Sequence, residues 1–249
     1  MYEHLASKNG QQPELWFNYA NALQRAGNLT KARQIFERTL KIAPAFFPAA
    51  LNLANLVRDI GESQLAIELY QHAITLNPQH PKPHVNLARL LRSMKCLKET
   101  RDVLNTAMQA GASNLETLYE QALLEYESGE PDKAMSTTQK ILKLQPNYGS
   151  AYTLIGLVEY ERGNVDTAVR WWNELARLEP GNPEPHINLG TLRQKEHRHE
   201  QAVSHFRDAV RRAPDDLGAN LKLGLILSTT GHVSEAMQIG ERLARLSPN

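Results

Sequence analysis

Asn18, Asn52 and Asn86 are spaced by 34 residues, and Asn188 falls in the same register. Asparagine is a poor residue for a helix interior. Its amide both donates and accepts, which suits the main chain of an extended peptide. The alternative is that these amides bridge neighbouring helices and hold a scaffold together. Asn21 and Asn55 follow Asn18 and Asn52 three places on, and by helical spacing they share a face with Arg25, Arg58, Lys82, Arg89 and Arg92. Only Glu14 and Asp59 oppose that set, so it would attract an acidic segment. The face then changes sign at Glu116, Glu120, Tyr126, Glu127, Tyr160 and Glu161. It returns to a mixed set at Glu184, Asn188, Gln194, Lys195 and Lys222. The chemistry these residues could do is recognition. The expected peptide-binding residues are Asn18, Asn21, Asn52, Asn55, Arg58, Lys82, Asn86, Arg89, Arg92, Glu120, Tyr126, Tyr160 and Asn188.

Bond-breaking chemistry finds no comparable set. The chain contains no Gly-rich phosphate loop, no GxSxG elbow, no HExxH and no CxxC. The one cysteine, Cys96, has no base marked out for it, and a catalytic thiol needs one. His197, His199 and His205 lie close together with Glu196 and Glu200, but a metal site needs fixed geometry, and the stretch reads as a solvated turn. His72, His80, His84 and His186 read as surface residues. The expectation is a non-enzyme with no cofactor and no metal.

Bulk properties narrow the partners. The 249 residues are 41% hydrophobic and 22% charged, ordinary values for a folded chain. A net charge of +1 argues against nucleic acid or an anionic membrane as partner. No stretch is long and apolar enough to insert in a membrane. A single cysteine fits a reducing compartment, so a cytoplasmic location is expected.

The elements that position the asparagines repeat. Seven units run 13–46, 47–80, 81–114, 115–148, 149–182, 183–216 and 217–249, without insertion or deletion. Each reads as two amphipathic helices and a tight turn. The eighth place is small: Ala20, Ala54, Ala88, Ala122, Gly156, Gly190 and Gly224. A turn glycine recurs at Gly27, Gly61, Gly129, Gly163 and Gly231. The second helix carries a small residue such as Ala32 or Ala66, then a bulky wedge four places on: Phe36, Tyr70, Leu104, Trp172 and Phe206. Proline ends most units. The third unit departs, with Lys95 for glycine, Thr100 for alanine and Ala112 for proline. The joint at 109–115 is therefore expected to be looser or differently angled. Trp171 is expected to pack away from the wedge Trp172. Residues 1–12 read as the end of a preceding repeat or as an N-terminal cap. With Gly240 in the aromatic place and no polar cap after it, the last unit suggests a fragment, or an end that another chain covers.

This pattern resembles the tetratricopeptide repeat family, which matches it across nearly the whole chain. The resemblance implies an all-α fold, a right-handed α-solenoid superhelix of helix–turn–helix units. It also implies that the first helices line a concave groove. Within the family, Asn18, Asn52, Asn86 and Asn188 resemble in part the asparagine ladder of the O-GlcNAc transferase superhelix, broken at Glu120, Leu154 and Lys222. Asn21, Asn52 and Lys82 match places of the carboxylate clamp of chaperone-binding co-chaperones, whereas Phe17 and Asn86 stand where that clamp has cations. The leading reading is a scaffold or adaptor that binds an extended or helical peptide segment of a protein partner. Its alternatives are the substrate-recruiting arm of a larger enzyme, such as a glycosyltransferase, and a scaffold that self-associates through uncapped ends.

Overall fold

The structure is a computed structural model, and it describes residues 12–246. The described residues form fourteen α-helices. They pair in chain order: α1 Pro13–Arg25 with α2 Leu29–Ile42, α3 Phe47–Asp59 with α4 Ser63–Leu76, and α5 Pro81–Ser93 with α6 Leu97–Gln109. Next come α7 Leu115–Glu127 and α8 Pro131–Leu144, then the pairs α9 Gly149–Glu161 with α10 Val165–Leu178, α11 Glu184–Lys195 with α12 His199–Arg212, and α13 Leu217–Thr229 with α14 Val233–Leu246. This is the expected all-α array of helix pairs. The reading of residues 1–12 lies, Gln12 apart, outside the described residues.

The chain divides into two compact units, Met1–Glu130 and Pro131–Asn249. In the first, Ala20, Ala54 and Ala88 are fully buried, and so are the wedges Phe36, Tyr70 and Leu104. A methyl group at the small place lets a first helix approach its partner, and the wedge fills the space beside it. The second unit uses glycine at the same place. A Cβ on Gly156 would lie 2.1 Å from Nε1 of Trp172, and one on Gly190 would lie 2.7 Å from the Phe206 ring. In the last pair Ile239 packs on Gly224, while Gly240 is exposed. Trp171 leaves the core wedge to Trp172 and meets Tyr152 edge-on, with ring centroids 5.5 Å apart.

The turns between paired helices need one residue in the left-handed region, where a Cβ crowds the backbone. Gly27 and Gly231 are there, and where glycine is missing the backbone does the same: Lys95 has φ 62° and His197 φ 60°. The proline-free joint after α6 is built from other parts. Gly111 takes φ 72°, Ala112 N–H donates to the Ala107 carbonyl at 2.8 Å, and Asn114 Oδ1 caps α7 by accepting from Thr117 N–H at 2.9 Å.

Burial corrects two of the histidine readings: His186 is half-buried, with both ring nitrogens shielded from solvent, and His84 lies deeper still. His84 is not a surface residue: it is fully buried. Its Nε2–H donates to the Pro78 carbonyl at 2.8 Å. Position 84 is the fourth place of a first helix, the place that holds buried Trp16 and Ala50 in the preceding repeats and half-buried Leu118, Tyr152 and His186 in the following ones, so the place turns inward whatever residue stands there.

Candidate peptide-binding face

The asparagines of the first compact unit meet in pairs along the first helices. Asn52 Nδ2 donates to Asn21 Oδ1 at 2.8 Å, joining α3 to α1. Asn86 Nδ2 donates to Asn55 Oδ1, also at 2.8 Å, joining α5 to α3. Each bond links the ninth place of one repeat to the sixth place of the next. Bridging between first helices, the alternative weighed from sequence, is thus what part of each amide does. The pairs use one donor hydrogen and one acceptor oxygen each. Asn21 Nδ2, Asn52 Oδ1 and Asn86 Oδ1 keep capacity for a ligand, and all four amides are only half-buried.

At the third step the same two places hold Arg89 and Glu120. Arg89 Nε donates to Glu120 Oε1 at 2.9 Å. Arg92 Nε reaches Glu120 Oε2 at 3.2 Å, Arg92 Nη1 also bonds Glu127, and Lys95 Nζ lies 3.3 Å from Glu127 Oε2. Burial works against the Arg92 charge, but Glu120 and Glu127 outweigh it and hold its pKa above the ordinary arginine value. Glu120 is only 1% exposed. An unpaired buried carboxylate would be costly, and two guanidinium partners compensate it. The sign change read from sequence is therefore, at Glu120 and Glu127, the anionic half of an ion-pair network whose cationic half is Arg89, Arg92 and Lys95.

The remaining expected residues are less gathered. Arg58 is paired with its neighbour Asp59 at 2.7 Å. Asn18, Lys82 and Arg89 are exposed. Tyr126 is half-buried on α7. In the second compact unit, Lys195 Nζ sits 4.8 Å from the Tyr160 ring centre, a cation–π contact. Asn188 is half-buried, and its Nδ2 has no protein partner. Sequence reasoning missed Tyr70, read only as a wedge. Its hydroxyl donates to Asn55 Oδ1 at 2.7 Å, and burial pushes its pKa up to about 12. The signal was there: Tyr70 holds the place of Phe36, and a hydroxyl added to a core wedge needs a partner.

Cys96 is the N-cap residue of α6, with Sγ 3.7 Å from the Met94 carbonyl. The His197 and His199 rings lie 6.0 Å apart and edge-on, and among the described residues no group of three or more His, Cys, Asp or Glu is placed to hold a metal ion. No described helix is long and apolar enough to cross a membrane.

Stacked helix pairs carrying a polar seam on their first helices define a class, the helical-repeat interaction proteins. Tetratricopeptide repeat models match residues 13–56, 49–82, 119–183 and 187–249. The chain belongs to the tetratricopeptide repeat family. It is similar to the human Protein O-mannosyl-transferase TMTC3, 29% identical over 111 residues, which are 43% of this chain and 12% of that protein. This chain therefore spans a small part of that relative's length. Among solved structures, a tetratricopeptide repeat protein from Parabacteroides merdae superposes with a TM-score of 0.76 at 18% identity, over 95% of this chain and 94% of that one. Yeast Tom70 also gives 0.76, at 14% identity, over 100% of this chain and 54% of that one. At such identities the likeness is one of fold.

Proposed function

We propose that the chain is a protein-interaction scaffold whose first-helix face binds an extended segment of a partner. The observation that carries the reading is the paired asparagine seam, Asn21–Asn52 and Asn55–Asn86, with spare donors and acceptors on a half-buried face. Regular amides at one pitch suit a repeating main chain, and they read little side-chain sequence. Lys82 and Arg89 reach solvent beside the seam and favour an acidic part of the segment. Arg92 is committed to Glu120 and Glu127, so the electrostatic pull is smaller than a count of arginines gives. Asn18 extends the seam on α1, Tyr126 on α7, and Tyr160 and Asn188 line the corresponding face of the second compact unit.

The test is selection from a library of displayed peptides against the full chain, followed by titration of the selected peptides. Substituting Asn52 and Asn86 together by alanine should weaken them at least about tenfold, the loss of one or two hydrogen bonds to a buried backbone. The far-ultraviolet circular dichroism should stay unchanged. Equal binding by the variant, or selection of no peptide above background, sinks the reading.

The similarity to an O-mannosyl-transferase favours a second reading, that the array is the substrate-recruiting arm of a larger transferase. A reading frame that joins these repeats to a glycosyl-transfer domain would support it. A frame that contains repeats alone would remove it.

A further inference from the structure

We propose a second binding site, for a carboxylic acid that bears one negative charge on an apolar body. It is a cleft between the second helices α12 and α14, floored by α13, with a volume of about 420 Å³. Val210, Leu223 and Ile239 form a buried apolar floor, with Pro214 beside them. The polar lining is Arg207, Arg211, Arg242, Glu235 and Gln238. Every lining residue belongs to the second compact unit.

The charges identify the ligand. Glu235 is the one acid in the lining, and Arg207 occupies it: Nε donates to Oε1 at 2.9 Å, and Nη2 donates to Oε2. Arg211 is 74% exposed and meets Asp208 at 3.0 Å, one turn back on its own helix. That carboxylate is outside the cleft lining and also has Arg212 at 3.9 Å. Arg242 is half-buried and, among the described residues, has no ion pair or hydrogen bond. Three arginines against Glu235 and Asp208 leave one positive charge, and it falls on Arg242. The repeat shows that this surplus belongs to the last step. At the two preceding steps of the unit the same two places hold opposite charges, Lys143 with Glu174 and Arg177 with Asp208. Here they hold Arg211 and Arg242. Like charges lining one cleft repel, and a bound anion offsets that. The guanidinium fork fits a carboxylate through two parallel N–H···O bonds. The Gln238 amide, exposed and without a partner among the described residues, adds a neutral donor. The apolar floor takes a ring or hydrocarbon body, which sets such an acid apart from a bare inorganic anion.

The probes are 3-phenylpropanoate, its neutral amide and inorganic phosphate, titrated into the full chain and followed by amide and arginine side-chain nuclear magnetic resonance. The carboxylate should bind saturably and shift the signals of Leu223, Ile239 and Arg242. The amide should bind at least about tenfold more weakly, the loss of a charge-assisted bond to arginine. Phosphate at equal concentration should not displace the carboxylate. Arg242→Gln, which breaks no ion pair or hydrogen bond among the described residues, should weaken the carboxylate about tenfold with unchanged circular dichroism. Gln238→Glu, which brings an acid to an exposed place in the cleft, gives the same loss if the first variant misfolds. Absence of saturable binding, equal binding of the amide, displacement by phosphate, or wild-type affinity in both variants overturns the proposal. None of these residues belongs to the asparagine seam, so the result stands or falls separately from peptide binding.

Discussion

Asn52 and Asn21, on first helices of successive repeats, share a hydrogen bond of 2.8 Å, and 34 residues later Asn86 and Asn55 share the same bond at the same length. One repeat further on, Arg89 and Glu120 occupy the two places and hold the contact as an ion pair at 2.9 Å. The seam thus keeps its geometry while its chemistry changes from amide–amide to charge–charge. An amide pair leaves donors and acceptors for a ligand. A buried carboxylate held by two arginines leaves almost none on the carboxylate side.

A double-mutant cycle on Asn21→Ala and Asn52→Ala should give a coupling of about 0.5–1.5 kcal/mol, the value of one partly exposed hydrogen bond. Hydrogen exchange of amides in α1 and α3 reads it locally, which suits a repeat array better than one global melt. Additive single effects would show that the contact does not hold the first two repeats together.

Arg92→Met should destabilise the first compact unit by about 3 kcal/mol, because it leaves Glu120 buried with Arg89 alone. Adding Glu120→Met should recover most of that loss, since Arg89 is half-exposed and can turn to water. Thermal unfolding followed by circular dichroism compares the two. A double variant weaker than the single would contradict the account of the network.

Gly156→Ala drives a methyl group into the Trp172 indole. The expected cost is about 1–3 kcal/mol, from displacing a packed ring. The displacement also lengthens the 3.4 Å bond from Trp172 Nε1–H to the Thr153 carbonyl. Tryptophan fluorescence should shift to the red. Trp172→Leu in the same chain should restore part of the stability, and no restoration would place the clash elsewhere.

His197→Gly should stabilise the chain by about 1 kcal/mol, since glycine bears no Cβ to crowd the left-handed backbone at φ 60°. Lys95→Gly should gain somewhat less, because it also removes a contact to Glu127 from a lysine that is 76% exposed. Melting temperatures of both variants check the pair.

Stability of the second compact unit should fall as pH drops below about 6.5. Burial depresses the pKa of both His186 and His205, whose rings lie 6.0 Å apart. Arg212 adds to the effect at His186 and Arg193 at His205, while Asp208 opposes it at both. A histidine depressed in the folded state binds more protons when unfolded. Its contribution is therefore complete above the unfolded pKa and is lost as pH falls through the folded one. Replacing both histidines by phenylalanine should flatten the melting temperature between pH 7.5 and 5, and an unchanged slope would assign it to other groups.

The repeat, the helix pairs and the residues that pack them were legible in the sequence. Ala20 against Phe36 and Gly156 against Trp172 are choices within one helix pair, where a period of 3.6 residues and a turn signal decide what faces what. Lys95 shows the limit of even local reading: it was visible as a missing glycine, but only the backbone showed that the turn is kept at φ 62°. His84 went wrong because a polar type was read without its register, and the register buries it. The asparagines were found by their spacing, yet their partners were not. Whether Asn52 meets a ligand or Asn21 depends on how α3 stacks on α1, a contact between residues 31 apart that no single-helix period encodes. The same holds for Glu120, whose charge was read as a surface of opposite sign and which is instead buried under Arg89 and Arg92. Sequence alone determined which residues line the first helices, because helix geometry is local. The tertiary structure decided which of them hold one another and which remain able to hold something else, because hydrogen-bonding capacity is consumed only where separate helices meet.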